Sequence, residues 1–217
     1  MKINRLAVRL CMCALVFFRA LSLYADGKDS LSRKMIHMAG IDIKPAYIFP
    51  THEFFAGNNA TFAPIRKNLS VHLKYGFKFA PDTYFGQMYP HAVQGIGVGY
   101  NTFFHSSELG NPWSVYAFQT SRIASLTPRL SLDYEWNFGV SFGWKKYDAE
   151  SNPYNRVVGS KMNAYIHLSF LLNWQLDAQT NLRAGIGATH FSNGNTAYPN
   201  AGVNTLGASI GLTRYFG

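Results

Sequence analysis

Apolar and polar positions alternate strictly from residue 130 to residue 144. Leu130, Leu132, Tyr134, Trp136, Phe138, Val140, Phe142 and Trp144 form one face, opposed by Ser131, Asp133, Glu135, Asn137, Gly139, Ser141 and Gly143. A period of two is the signature of a β-strand with one apolar face. Strands of soluble sandwiches run to about five or six residues, whereas a tilted membrane-crossing strand needs about 9 to 11. The length of this segment predicts a membrane strand. Its aromatic-rich face suits lipid, and the charged and glycine-bearing face suits a polar barrel interior.

The same alternation recurs along the chain. In the second strand Leu69, Val71, Leu73, Tyr75, Phe77 and Phe79 oppose Ser70, His72, Lys74, Gly76 and Lys78. Further strands are predicted at about 35–49, 94–104, 113–123, 162–176, 182–191 and 203–216, with Ala164, Ile166, Leu168, Phe170, Leu172 and Trp174 outward in the sixth. Pro45 interrupts the first strand, and the face presented by Trp113 to Ile123 reads either way. The fold class that follows is all-β, an eight-stranded antiparallel transmembrane β-barrel. Eight strands enclose an interior that side chains just fill, which excludes a porin-like channel. An even strand number puts both termini on the periplasmic side and the connections at about 50–67, 105–112, 145–161 and 192–202 outside.

Residues 1–25 read as a secretory signal and residues 26–217 as the barrel domain. The signal has a basic start (Lys2, Arg5, Arg9), an apolar stretch from Leu10 to Phe18, and a Leu23-Tyr24-Ala25 step before Asp26; Ala20-Leu21-Ser22 offers a rival cut. That apolar stretch is too short for a helical span, and no later segment reaches about 18 uninterrupted apolar residues. Both cysteines, Cys11 and Cys13, lie in the signal, so the mature chain forms no disulfide. Four of the twenty basic residues leave with it while all eleven acids stay, so the formal net charge falls from +9 to +5. No basic run interleaved with aromatics marks a nucleic-acid surface, and an anionic glycolipid surface fits the mild positive charge better.

Several lumenal features invite chemistry and receive a structural reading instead. Asp133, Glu135, Lys74 and Lys78 are read as paired charges filling a polar interior. Gly95-Ile96-Gly97-Val98-Gly99 lacks the helix and acidic residue of a dinucleotide loop and is read as a strand with a small-residue inner face. His37, His52, His91 and His105 fall in or near loops and turns, while His72 and His167 have lumenal parity; no pair has the spacing of a metal site. The closing Tyr215-Phe216-Gly217 comes near the terminal aromatic of outer-membrane barrels.

Parity then isolates one group of polar residues. Leu182, Ala184, Ile186 and Ala188 point outward, so His190 and Ser192 continue the lipid face; Asn204 joins it ahead of Leu206, Ala208, Ile210 and Leu212. Residues i and i+2 of a strand share a face, so His190 is within reach of Ser192 and can take the proton that makes a serine hydroxyl nucleophilic. A bland reading stands beside this one, because polar residues at the membrane interface cost little.

Around that pair, His190, Ser192 and Asn193 are followed by Pro199, Asn200 and Gly202. This spacing resembles the PagL-type lipid A 3-O-deacylases, with their His-x-Ser-Asn and Pro-Asn-x-Gly motifs over about fifteen residues. The resemblance implies an outer-membrane esterase that removes the 3-O-linked acyl chain of lipid A in lipopolysaccharide. Ser192 is then the nucleophile and His190 the general base, with Asn200 supporting the oxyanion and Asn193 and Gly202 supporting the motif. No metal or organic cofactor is implied. The family's acidic residue falls at position 204, where this chain has Asn204. An amide carbonyl can orient the imidazole but does not stabilise its cation by charge. Glu108 and Glu150, in outward loops, are alternative acids. Two rival classes remain at this point: a non-catalytic small barrel acting as envelope stabiliser or adhesin, and a soluble lipocalin-like barrel, which would put Trp136 and Phe138 inside.

Overall fold

The computed structural model describes residues 35–217; the predicted signal and the first residues of the barrel domain lie outside that range. Eight strands follow one another in order: β1 Met35–Ile48, β2 Lys67–Phe79, β3 Val93–Thr102, β4 Gly110–Thr127, β5 Leu130–Trp144, β6 Met162–Gln175, β7 Thr180–Ser192 and β8 Val203–Phe216. Each pairs antiparallel with the next, and β1 pairs with β8 to close the barrel. Closure leaves no strand edge exposed, so every spanning backbone group finds a partner inside the wall.

The period-two alternation sets the faces. Trp136 and Phe138 lie on the outside, as do Leu73, Ile166, Leu168 and Phe170. The apolar girdle thus faces outward, and the lipocalin-like arrangement is excluded. Pro45 stays within β1: it pairs with Leu69 on the β2 side, while the β8 register passes from Ile43↔Ile210 to Ala46↔Gly207 without it. A proline lacks the N–H that side of the ladder would use.

Two parts of the alternation break down. Trp144, expected on the lipid face, is buried and donates its indole N–H to Ser141 Oγ at 2.8 Å. The cause lies one residue earlier: Gly143 has φ +92, and the β4–β5 register shifts between Gly110 and Trp113. That left-handed glycine turns the strand end inward, a conformation that a Cβ would strain. In β4 the ambiguity resolves with Trp113 and Val115 outside and the large rings of Tyr116 and Phe118 inside. Glycines make room for them: a Cβ on Gly97 of β3 would run into the Tyr116 ring and one on Gly76 of β2 into Phe118, while one on Gly99 would meet His72. The glycine run is therefore the small inner face that its spacing predicts.

The lumen has two layers. At mid-height Lys74 Nζ sits 2.5 Å from Asp42 Oδ2 and 2.8 Å from Glu135 Oε2, and Arg183 reaches Glu135 Oε2 at 2.6 Å. Burying these charges is tolerable because each meets its opposite at hydrogen-bond distance. Asp133 bonds to Ser131 and Asn173, with Arg122 at 4.0 Å, and Lys78 lies over the Tyr215 ring. Of the four charges expected to pair, Lys74 and Glu135 form one strong pair, and Lys78 takes an aromatic partner instead. Toward the end carrying the 193–202 loop the lumen becomes apolar: Phe103, Trp144, Tyr165 and Phe191 pack ring against ring at centroid distances of 5.1–6.1 Å.

The connections at that end cap the barrel. A four-residue helix α1, Glu53–Ala56, buries Phe54 and Phe55 in the same apolar cluster, joined by Ile65, Leu109 and Val157. His52 caps it by accepting the Phe54 N–H. A second short helix, α2 (Tyr84–Met88), lies in the connection at the opposite end. Neither helix shows a helical period in sequence, being too short to carry one.

Candidate active site

The three polar residues singled out by parity converge. On β7, His190 and Ser192 share the face of Ile186, which is 63% exposed, while Phe191 between them is buried in the aromatic layer. On β8, Asn204 shares the face of exposed Leu206, with Val203 and Thr205 turned inward. His190 and Asn204 are direct register partners across the β7–β8 pair, the separation at which side chains on one face meet.

Ser192 Oγ lies 2.9 Å from His190 Nε2, and His190 Nδ1 lies 2.7 Å from Asn204 Oδ1. An amide oxygen only accepts, so Nδ1 carries the imidazole proton and donates it to Asn204. Nε2 is left as a lone pair, and the Ser192 hydroxyl donates to it. This relay is half-buried, set where the outward apolar wall meets the 193–202 loop. Its partner is Asn204 rather than the alternative acids. Glu108 accepts the Ala60 N–H and faces His105 within the connections, and Glu150 is exposed in a turn built on Asp148. Hydrogen bonds from Ser151 and Glu150 hold the Asp148 carboxyl below the usual carboxylate range, which keeps that turn closed.

The remaining motif residues build the loop. Asn193 donates its backbone N–H to Asn200 Oδ1 at 2.9 Å and its amide to Ala197 O at 2.8 Å. Asn200 Nδ2 in turn reaches Asn195 Oδ1 at 3.0 Å. Gly194 and Asn195 both have φ +62, the left-handed pair that reverses the chain. Gly202 has φ +73, and a Cβ there would lie 3.2 Å from His190 Cε1 and 3.0 Å from Phe191 O. Glycine at 202 thus serves two ends, a backbone closed to other residues and space beside the imidazole.

Sequence reasoning missed the brace behind this loop. Gly202 N donates to Val157 O at 3.2 Å, and Gly159 lies so close that a Cβ would press on the backbone of Ala197, Tyr198 and Pro199. Both residues belong to the 145–161 connection. The lone glycine at 159 was the available signal, but its partner is distant in sequence and nothing in the pattern names it.

The sequence model of the family described as lipid A 3-O-deacylase (PagL) matches residues 54–213, which take in β2 to β7, most of β8 and all of the motif. The chain belongs to the PagL family. No curated protein sequence matches it. Among solved structures, the outer membrane enzyme PagL superposes with a TM-score of 0.51 at 13% identity, covering 81% of this chain and 97% of that one. Neisserial surface protein A gives 0.50 at 9% identity, over 84% and 96%. At such identities the superpositions show the shared barrel architecture alone. Membership of the PagL family and the eight-stranded wall make this an outer-membrane barrel of a lipid A deacylase family.

Proposed function

We propose that this PagL-family chain hydrolyses the 3-O-linked acyl ester of lipid A from the outer leaflet, with Ser192 as nucleophile, His190 as general base and Asn204 as the residue that orients the imidazole. One observation supports the reading: Ser192 Oγ lies 2.9 Å from His190 Nε2 and Asn204 Oδ1 lies 2.7 Å from Nδ1, all three on the outward-facing side of the wall. The substrate's acyl chains lie along the apolar wall formed by Ile186, Ala188 and Leu206, which brings the ester level with Ser192 Oγ. The hydroxyl attacks the ester carbonyl carbon as its proton passes to His190 Nε2. The imidazolium then returns that proton to the departing 3-oxygen of the sugar, leaving the acyl group on Ser192. Water activated by the neutral imidazole releases the fatty acid and restores the enzyme. Asn200 keeps one amide hydrogen beyond its bond to Asn195, and that hydrogen is the donor we assign to the oxyanion.

Asn204 carries no charge, so the imidazolium formed in each step is stabilised less than it would be beside a carboxylate. The loop connections, the start of β1 and the end of β8 then follow the usual arrangement, with the site at the extracellular rim. Mass spectrometry of lipid A from cells producing the wild-type chain, Ser192→Ala or His190→Ala tests the proposal. Loss of one 3-O-linked acyl group only with the wild type is the expected result. Equal deacylation by a folded Ser192→Ala/His190→Ala double variant would overturn the assignment.

A further inference from the structure

The mouth at the opposite end of the barrel from His190 holds a cavity of about 340 Å³. That volume is at the lower bound of small-molecule sites, and its walls are mostly polar. Lys78, Arg122, Arg129 and Arg183 line it, against a single carboxylate, Asp133. Arg183 is committed to Glu135 at 2.6 Å. The others have no close acidic partner among the described residues: Lys78 rests on the Tyr215 ring, and Arg122 stands 4.0 Å from an Asp133 already bonded to Ser131 and Asn173. A second observation points the same way. Thr213, 1% exposed, lines the cavity, and its buried hydroxyl oxygen has no hydrogen-bond partner.

We infer that this mouth is a binding site for a soluble phosphate monoester. Setting Lys78, Arg122 and Arg129 against Asp133 leaves a surplus of two positive charges, which a dianion neutralises and a monoanion does not. A phosphate monoester carries about −1.5 to −2 at neutral pH. Two guanidinium groups match its oxygens in paired N–H contacts, as a carboxylate's single plane would not for both at once. Thr213 adds a neutral hydroxyl that no other described group engages. The cavity opens along the barrel axis rather than onto the lipid wall, so the ligand comes from the aqueous compartment, the periplasm in the orientation proposed above. It shares no residue with the deacylase site.

Calorimetric titration of the full chain in zwitterionic detergent micelles, with glucose 1-phosphate and separately with inorganic phosphate, tests the inference. Saturable one-to-one binding of glucose 1-phosphate at about 1 mM or tighter is expected. Arg122→Gln, Arg129→Gln and Thr213→Val should each weaken it, the arginine changes by about tenfold. The deacylation rate of Arg129→Gln, whose substitution lies in the exposed β4–β5 turn, should equal wild type. Absence of saturable heat, or binding by the Arg129→Gln and Arg122→Gln variants with wild-type affinity, would overturn it. Binding of inorganic phosphate but not of the sugar phosphate would overturn the monoester assignment.

Discussion

Among the described residues, the barrel contains two serine–histidine pairs of nearly the same geometry. On β2, Ser70 Oγ lies 2.9 Å from His72 Nε2, with Tyr116 OH 2.9 Å from Nδ1. On β7, Ser192 Oγ lies 2.9 Å from His190 Nε2, with Asn204 Oδ1 2.7 Å from Nδ1. The lumenal pair is sealed: His72 is 1% exposed, and its ring fills the space that a side chain at 99 would need. No ester carbonyl can approach it. A phenol on Nδ1 can accept or donate, so it does not fix which ring nitrogen carries the proton, whereas the Asn204 carbonyl does. On the proposed reading, a hydrogen-bonded serine and histidine form a site only with access on one side and a fixed tautomer on the other.

The sharpest test contrasts the pairs directly. Ser192→Ala should lower kcat for lipopolysaccharide by on the order of 10⁴-fold or more, while Ser70→Ala leaves it unchanged; a collapse in both would mean that loss of structure, not of a nucleophile, is being read. Next in size is the layer that keeps the lumen closed. Glu135→Gln leaves Lys74 and Arg183 buried without their shared partner, and should lower unfolding stability by about 3–5 kcal/mol in denaturant titrations. Asn204→Glu should raise kcat, by on the order of tenfold to a hundredfold, if charge beside Nδ1 is what the relay lacks. Gly202→Ala should lower kcat by roughly tenfold, because the added methyl meets the imidazole edge and strains a left-handed backbone.

Much of this was legible because lipid and lumen impose opposite chemistry on alternate residues. The fifteen-residue alternation of β5 gave its span to the residue, and parity alone put His190, Ser192 and Asn204 on one face. What the pattern hid follows from a lumen that is not polar throughout. Under the apolar cap, Tyr116, Phe118, Trp144 and Phe191 are interior residues with the composition of exterior ones, so alternation could not sort β4 or the end of β5. The inward swing of Trp144 depends on a backbone angle at Gly143, which composition does not encode. Likewise the brace from Val157 and Gly159 to the 193–202 loop is a long-range contact with no sequence period.

The direct pairing of His190 with Asn204 ties chemistry to assembly. Sliding β8 by one residue against β7 would present Val203 or Thr205 to the imidazole and turn Asn204 into the lumen, because neighbouring strand residues face opposite ways. A barrel inserted with that error would also turn Leu206, Ile210 and Leu212 into the lumen, losing part of its girdle together with the proposed relay even if all eight strands formed. Under the proposed mechanism, hydrolytic turnover is therefore a stricter gauge of correct insertion than strand content.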